Sequence, residues 1–427
     1  MTRSVQVGVL GFGSVGTGVI KLLKQNHAQL LRRSGVDLKI AAIAVRNKRK
    51  DRAVRVNPKI LTEDPFGIVK DPRIDIVIEL LGGIHPAKRL VEEALKNGKY
   101  VVTANKELIA KHGYALFSLA RRCGVDLYYE ASVAGGIPII RTLKVGFAPN
   151  RITDVVGIIN GTTNFILSAM DQGRSYAEAL AEAQARGFAE ADPRDDVDGV
   201  DAAYKLAILA SIAFQAKVRV EDVYRQGIRQ VDPIDIEFAR TLGYTVKLLA
   251  RGSQTAQGIS LKVHPTLIER THPLANVSGV FNAVFIRGDF IGDAMLYGQG
   301  AGSEPTGAAV VSDVLDIVYS FGQNVTRRNL VTEYRHVRML PRATTTAQFY
   351  ARFELRDRPG VLARITHLLG RHHISVESIE QKLLPRQRAM LVLITHRTLE
   401  RHMDQALLAI RRLPDVQACR ACLRVGL

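Results

Sequence analysis

Six carboxylates fall within twelve residues, at Glu190, Asp192, Asp195, Asp196, Asp198 and Asp201, on a 427-residue chain whose formal net charge is +18. Asp201 and Lys205 are four residues apart, a spacing that sets an acid and an amine on one face of a helix, with Leu206, Ile208 and Leu209 continuing inward. A lysine beside carboxylates can move a proton once its basicity is tuned, and a patch of acids suits a cationic ligand such as an ammonium group. Helix capping and the helix dipole account for one or two of these acids but not for six. A calcium loop does not fit, because Asp196, Asp198, Gly199 and Asp201 break the order that an EF-hand requires.

A second chemical signal opens the chain. Val5–Leu10 reads as a strand that runs into Gly11-Phe12-Gly13-Ser14-Val15-Gly16 and then into a helix beginning near Val19. In that context Gly11 permits the tight turn, Gly13 admits a pyrophosphate to the backbone, and Gly16 lets helix and strand pack closely, with the helix N-terminus facing the anion. The next strand, Leu38–Val45, ends on Arg46 with a basic run behind it rather than on an acid. A cation there suits a 2′-phosphate, so the expected cofactor is NADP, with NAD as the alternative.

These groups need an α/β frame to position them. Ile74–Leu81, Tyr100–Val102 and Asp126–Tyr129 read as further strands, alternating with helices over Pro86–Lys96 and Leu108–Arg121. Ligands of such sheets lie beyond the carboxyl ends of the strands, where this chain places Gly82-Gly83, Thr103-Ala-Asn-Lys106 and Glu130–Gly136. Lys106 is therefore expected to face cofactor or substrate. Past residue 145 the pattern shifts to an expected α+β domain with a mostly antiparallel sheet, and the apolar helix over Thr306–Tyr319 is expected to return to the nucleotide-binding domain. Residues 349–427 read as strand, helix, strand, strand, helix, strand, which is a ferredoxin-like order. The expected partition is 1–145 for NAD(P) binding, 146–322 for substrate, 323–348 as a connector, and 349–427 as a third domain.

Composition narrows the remaining classes. Three cysteines, Cys123, Cys419 and Cys422, imply no disulfide framework, and Cys419 and Cys422 without a second pair cannot close a structural zinc site. Residues 327–427 hold nineteen Lys and Arg against eight Asp and Glu, a surplus of eleven, yet the basic residues are scattered with no run and no aromatic stacking platform. A basic surface that draws in an anionic cofactor is the simpler account, so no nucleic acid is expected as a partner. No apolar run is long enough to span a bilayer, and the expected location is cytoplasmic, away from membranes.

The glycine fingerprint, Val102–Lys106, Glu130-Ala-Ser-Val-Ala-Gly-Gly-Ile-Pro138, Asn160-Gly-Thr-Thr-Asn164, the Glu190–Lys205 segment and Gly300-Ala-Gly302 together resemble the bacterial homoserine dehydrogenase family, in order along residues 5 to 310. Asp357-Arg-Pro-Gly360 with Ile374–Ile379 is similar to an ACT domain, a module that commonly binds amino-acid effectors. The resemblance implies interconversion of L-homoserine and L-aspartate 4-semialdehyde by hydride transfer, toward threonine, methionine and isoleucine. It implies Lys205 as the catalytic amine with Lys106 as a second, Glu190 and Asp201 with the weaker Asp196 on the substrate ammonium, and Thr103, Lys106 and Gly302 beside the cofactor. It also implies a monovalent cation, sodium, near Glu130, Val133, Gly135 and Ile137. Threonine would act at an ACT pocket that includes Asp357 and Gly360, in a homo-oligomer, dimer or tetramer.

Two rivals remain at this point. A semialdehyde dehydrogenase would need a nucleophilic cysteine, but Cys123 has no histidine near it in sequence. A non-enzymatic sensor of NADP and an amino acid would keep the glycine loop and the last domain without needing Lys205.

Overall fold

A computed structural model describes residues 3–321 and 334–427. Residues 323–333 of the expected connector lie outside the described residues. The chain forms two compact units. The first comprises Met1–Ile152, Tyr204–Val220 and Asn282–His336, and the second Thr153–Ala203, Glu221–Phe281 and Val337–Leu427.

The first unit is built on a six-stranded, wholly parallel sheet. Its strands, taken across the sheet, are Leu61–Thr62, Val36–Ala44, Arg3–Leu10, Ile76–Glu79, Tyr100–Thr103 and Leu127–Tyr128. This is the doubly wound order, in which the switch between Arg3–Leu10 and Ile76–Glu79 leaves a crevice at the carboxyl ends. The strands read as continuous apolar runs because both faces are covered: Val7, Val9, Ile76, Ile78 and Val102 are fully buried. Ser303–Phe321 is a nineteen-residue helix whose Val310, Val314 and Ile317 enter the same core as Val19 and Ile20 of the helix Ser14–Gln25. The two helices are also joined by polar contacts, a Ser303 Oγ hydrogen bond of 2.5 Å to the carbonyl of Ser14 and a Lys21–Glu304 ion pair.

In the second unit the strand Tyr244–Thr255 lies between Ile152–Ile158 and Gly258–Glu269, antiparallel to both. Residues 346–425 follow the order strand Thr346–Arg356, helix Val361–Arg371, strands Val376–Leu384 and Arg388–Thr395, helix Glu400–Ile410 and strand Val416–Val425. The sheet order places Thr346–Arg356 between Val416–Val425 and Arg388–Thr395, all antiparallel, with Val376–Leu384 outermost. Phe349, Phe353, Ile365, Leu369, Leu391, Met403 and Ile410 form one core on the helical side. Gly258–Glu269 runs parallel to Val416–Val425, with Thr266 opposite Arg424, so one sheet continues from the substrate strands into the last domain.

Candidate functional site

At the switch point the glycine turn has the shape that its sequence requires. Gly11 adopts φ +108°, a conformation L side chains rarely take, and its N–H is held by the carbonyl of Ala44 at 3.0 Å. A Cβ built on Gly13 meets nothing within 4 Å, so the backbone there faces open space at the start of the helix Ser14–Gln25, where a phosphate would sit. The first turn of that helix carries no acid to repel one. Arg46 is exposed just past the strand Val36–Ala44. Arg52, which sequence reasoning passed over, stacks its guanidinium 5.3 Å from the Phe12 ring and is braced by the carbonyls of Asn47 and Lys50.

A cavity of about 270 Å³ opens in the same unit, and both Lys106 and Lys205 line it, with Gly83, Ser132, Gly300 and Thr306 around them. Asn105 brings Lys106 there: its side chain caps the helix Lys106–Cys123 through the N–H of Leu108 at 3.1 Å and donates to the carbonyl of Gly83 at 2.6 Å. Lys205, nine-tenths buried, projects from the helix Val200–Ala213, one turn beyond Asp201. Thr103 stands behind the cavity rather than in its wall. Its hydroxyl donates to Glu79 Oε2 at 2.6 Å and accepts from the N–H of Asn105 at 3.0 Å. Glu79 was not singled out from sequence, although a glutamate ending the apolar run Ile76-Val-Ile is a readable signal. It is fully buried, accepts from the N–H of Leu81 at 2.7 Å, and burial raises its pKa. Gly302, at φ +121°, precedes the helix that begins at Ser303.

Glu130 is buried, and its two carboxylate oxygens accept from the N–H groups of Ile140 and Arg141 at 2.8 and 2.7 Å. Burial pushes this carboxyl up to about 7. Its own N–H donates to Asp313 Oδ2 at 2.9 Å, and burial raises Asp313 well above its ordinary value. Between Val133 and Ile137 the consecutive residues Ala134 and Gly135 are left-handed, at φ 55° and 50°, which turns several backbone carbonyls within a short stretch. Among the described residues no group of three or more His, Cys, Asp or Glu side chains could hold a metal ion, so a cation here would depend on those carbonyls.

The acidic segment is less unified than its sequence suggests. In the second unit Asn160 Nδ2 donates to Asp196 Oδ1 at 2.7 Å and to Asp201 Oδ2 at 2.9 Å, which gathers two of the six acids. Asn160 is itself fixed as the N-cap of Gly161–Asp171, accepting from the N–H of Thr163 at 2.8 Å. Asp192 pairs instead with Arg194, and Asp198 with Arg229, both as solvated ion pairs. Glu190 lies exposed on the segment before the short helix Arg194–Val197, its carbonyl held by Gln184 Nε2 at 3.2 Å. Only Asp201 of the six lies on the long helix.

In the last domain Asp357 and Gly360 are exposed in the turn that opens Val361–Arg371, where Gly360 is the N-cap at φ +85°. Cys419 and Cys422 both have pKa values raised by burial, which is inert behaviour for a thiol. Among the described residues no helix is long and apolar enough to cross a membrane.

Residues 138–315 match the family described as homoserine dehydrogenase, residues 11–130 match homoserine dehydrogenase, NAD binding domain, and residues 349–415 match the ACT domain. The chain is 42% identical over 431 residues to a homoserine dehydrogenase of Pseudomonas aeruginosa, covering 99% of each. Its fold is similar to the crystal structure of a homoserine dehydrogenase from Thiobacillus denitrificans, with TM-score 0.94, 42% identity and 99% and 98% of the two chains covered. It is also similar to a hyperthermophilic archaeal homoserine dehydrogenase in complex with NADPH, with TM-score 0.63, 27% identity, and 76% of this chain and 100% of that one covered.

Proposed function

The chain belongs to the homoserine dehydrogenase family, a class of NAD(P)-dependent oxidoreductase, and from that premise we propose how its own residues carry the interconversion of L-homoserine and L-aspartate 4-semialdehyde. The observation that carries the reading is the shared cavity: two lysines from sequence positions 106 and 205 line one space at the carboxyl ends of a parallel sheet. A nicotinamide held by the glycine turn would supply the hydride acceptor for oxidation of the alcohol carbon. Lys205 takes the hydroxyl proton during oxidation and returns it during reduction, while Lys106 orients the oxygen and shares the proton path. Asp201, with Asp196 and Glu190 as further members, holds the substrate ammonium, and Asn160 keeps Asp196 and Asp201 aimed together.

NADP is the preferred cofactor in this proposal, with NAD as the alternative. Gly11–Gly16 would cradle the pyrophosphate, and Arg46 would meet the 2′-phosphate with its bidentate fork. The NADPH held by the archaeal relative supports this choice. A sodium ion would sit on oxygen ligands from the Glu130, Val133, Gly135 and Ile137 segment, which offers the hard donors such an ion takes. Raising sodium against a choline control should increase the thermal midpoint of the protein if the ion is held there.

Threonine is the proposed inhibitor, acting near Asp357 and Gly360 in an assembly of at least two copies. The outermost strand Val376–Leu384 supports such pairing, because Ile379 and Leu383 are 42% and 69% exposed on an edge that is unpaired among the described residues. The test is reduced-nicotinamide absorbance with L-homoserine and NADP or NAD, repeated with threonine and in sodium or potassium buffer. Faster turnover with NADP and inhibition by threonine are expected. Binding of both ligands without turnover would instead return the sensor reading.

A further inference from the structure

Beside the junction of Gly258–Glu269 with Val416–Val425 lies a cavity of about 560 Å³, walled by Arg251, Lys262, Arg338, Arg397 and Arg424 against one carboxylate, Asp154. Arg251 reaches Asp154 at 3.3 Å. Glu400, fully buried, accepts from the lining residues Lys262 at 2.5 Å and Arg424 at 2.6 Å, and also serves Arg342 at 2.9 Å. Setting Asp154 and Glu400 against the five lining cations leaves three positive charges. Among the described residues neither the Arg338 nor the Arg397 guanidinium has a hydrogen bond or ion pair, and both are exposed.

The wall is built rather than incidental. Lys262, His264 and Arg424 line the cavity and are each more than nine-tenths buried. Burial holds His264 neutral, well below its ordinary pKa, and the nearby charges of Arg424, Lys262 and Arg251 reinforce this. Its Nδ1 is fixed by Thr266 Oγ1 at 2.8 Å. Hydroxyl groups of Ser260 and Thr345 add neutral partners to the lining. Uncompensated like charges around one space are costly unless an anion joins them, and guanidinium forks match phosphate and carboxylate oxygens two at a time. The volume falls in the range of small-molecule sites and far exceeds what one ion fills.

We propose that this cavity binds a polyanionic small molecule, rich in phosphate or carboxylate groups, between the substrate strands and the ACT segment. Its lining is disjoint from the Lys106–Lys205 cavity and from the Asp357–Gly360 turn. Because Arg251 and Lys262 come from the substrate strands while Arg397 and Arg424 come from the ACT segment, the ligand ties the two together. Such a ligand raises the stability of the unit in proportion to the logarithm of its concentration.

The test is calorimetric titration of the full-length protein with inorganic pyrophosphate and, separately, with citrate at constant ionic strength. Wild type is compared with the double variant Arg338→Gln, Arg397→Gln, whose exposed positions leave the fold intact. Any binding of pyrophosphate in the nucleotide crevice is common to both proteins and cancels in the comparison. The wild type should show saturable binding that the double variant weakens about 100-fold, roughly tenfold per guanidinium. Response to pyrophosphate alone identifies a phosphate-bearing ligand, response to citrate alone a carboxylate-bearing one, and either supports the site. Equal binding by both proteins, or no saturable binding of either probe by wild type, overturns it.

Discussion

In the nucleotide-binding unit Glu79, Glu130 and Asp313 are buried with backbone N–H groups or hydroxyls as their partners, and burial raises all three pKa values. In the second unit Asp235 and Glu400 are as deeply buried, but under cations: Arg352 meets Asp235 at 2.6 Å with the Tyr350 hydroxyl at 2.9 Å, and Arg424, Lys262 and Arg342 surround Glu400. Burial alone would raise Glu400, yet Arg424 and Lys262 override it and keep its carboxyl below the usual value. The difference separates two uses of a buried charge. In the first unit burial outweighs the hydrogen bonds on Glu79, Glu130 and Asp313 and the charges of Lys144 and Arg141 near the latter two. Acids with their cation tie Pro233–Thr241 and the substrate strands to the ACT segment.

The largest effect should come from breaking the lysine side of this contrast. Lys205→Ala is expected to lower kcat about 10²- to 10⁴-fold while leaving NADPH binding, followed by nicotinamide fluorescence, near the wild-type value. Equal loss of both would remove Lys205 from the proton path. Next, Arg352→Met should strand the Asp235 carboxylate and cost about 3–5 kcal/mol in denaturant unfolding. Glu79→Gln is isosteric and removes a buried carboxyl group that no ion pair holds among the described residues, and a cost below about 1.5 kcal/mol is expected. Similar penalties for the two would erase the distinction. Arg46→Ala should raise the KM for NADP roughly tenfold and leave that for NAD unchanged, read from initial rates.

The smallest effect is in pH, and its sign differs between the units. Glu130, raised from 4.5 to about 7, binds its proton more tightly in the folded state, so its contribution is complete below 4.5 and is lost as pH rises toward 7. Glu400 is lowered, so its contribution is present above 4.5 and is lost as pH falls below that value. Hydrogen-exchange protection factors should therefore decline in residues 130–141 from pH 4.5 to 7 and in residues 400–410 below pH 4.5. The same direction in both segments would contradict this account.

Individual strands and the glycine turn were legible because periodicity and turn chemistry are local: Val5–Leu10 into Gly11, and the last six elements in their sequence order. The cavity was legible in part. Lys106 follows an apolar strand and Lys205 follows Asp201 by one helical turn, both of which sequence spacing reveals. What spacing could not reveal is how acids are spent on neighbours. Asp192 and Asp198 look like members of a site but pair with Arg194 and Arg229. Asn160 orients Asp196 and Asp201 across some forty residues of chain, a contact that only folding creates. Glu400 and its three cations were equally hidden, since Lys262, Arg342 and Arg424 are dispersed along the chain.

The most direct test of the shared cavity is a double-mutant cycle on kcat for L-homoserine oxidation with NADP, using Lys106→Ala, Lys205→Ala and the pair. Two amines on one proton path act as a unit, so the double variant should lose about as much as the worse single variant. Losses that multiply, or full activity in either single variant, would contradict a common role for the two lysines.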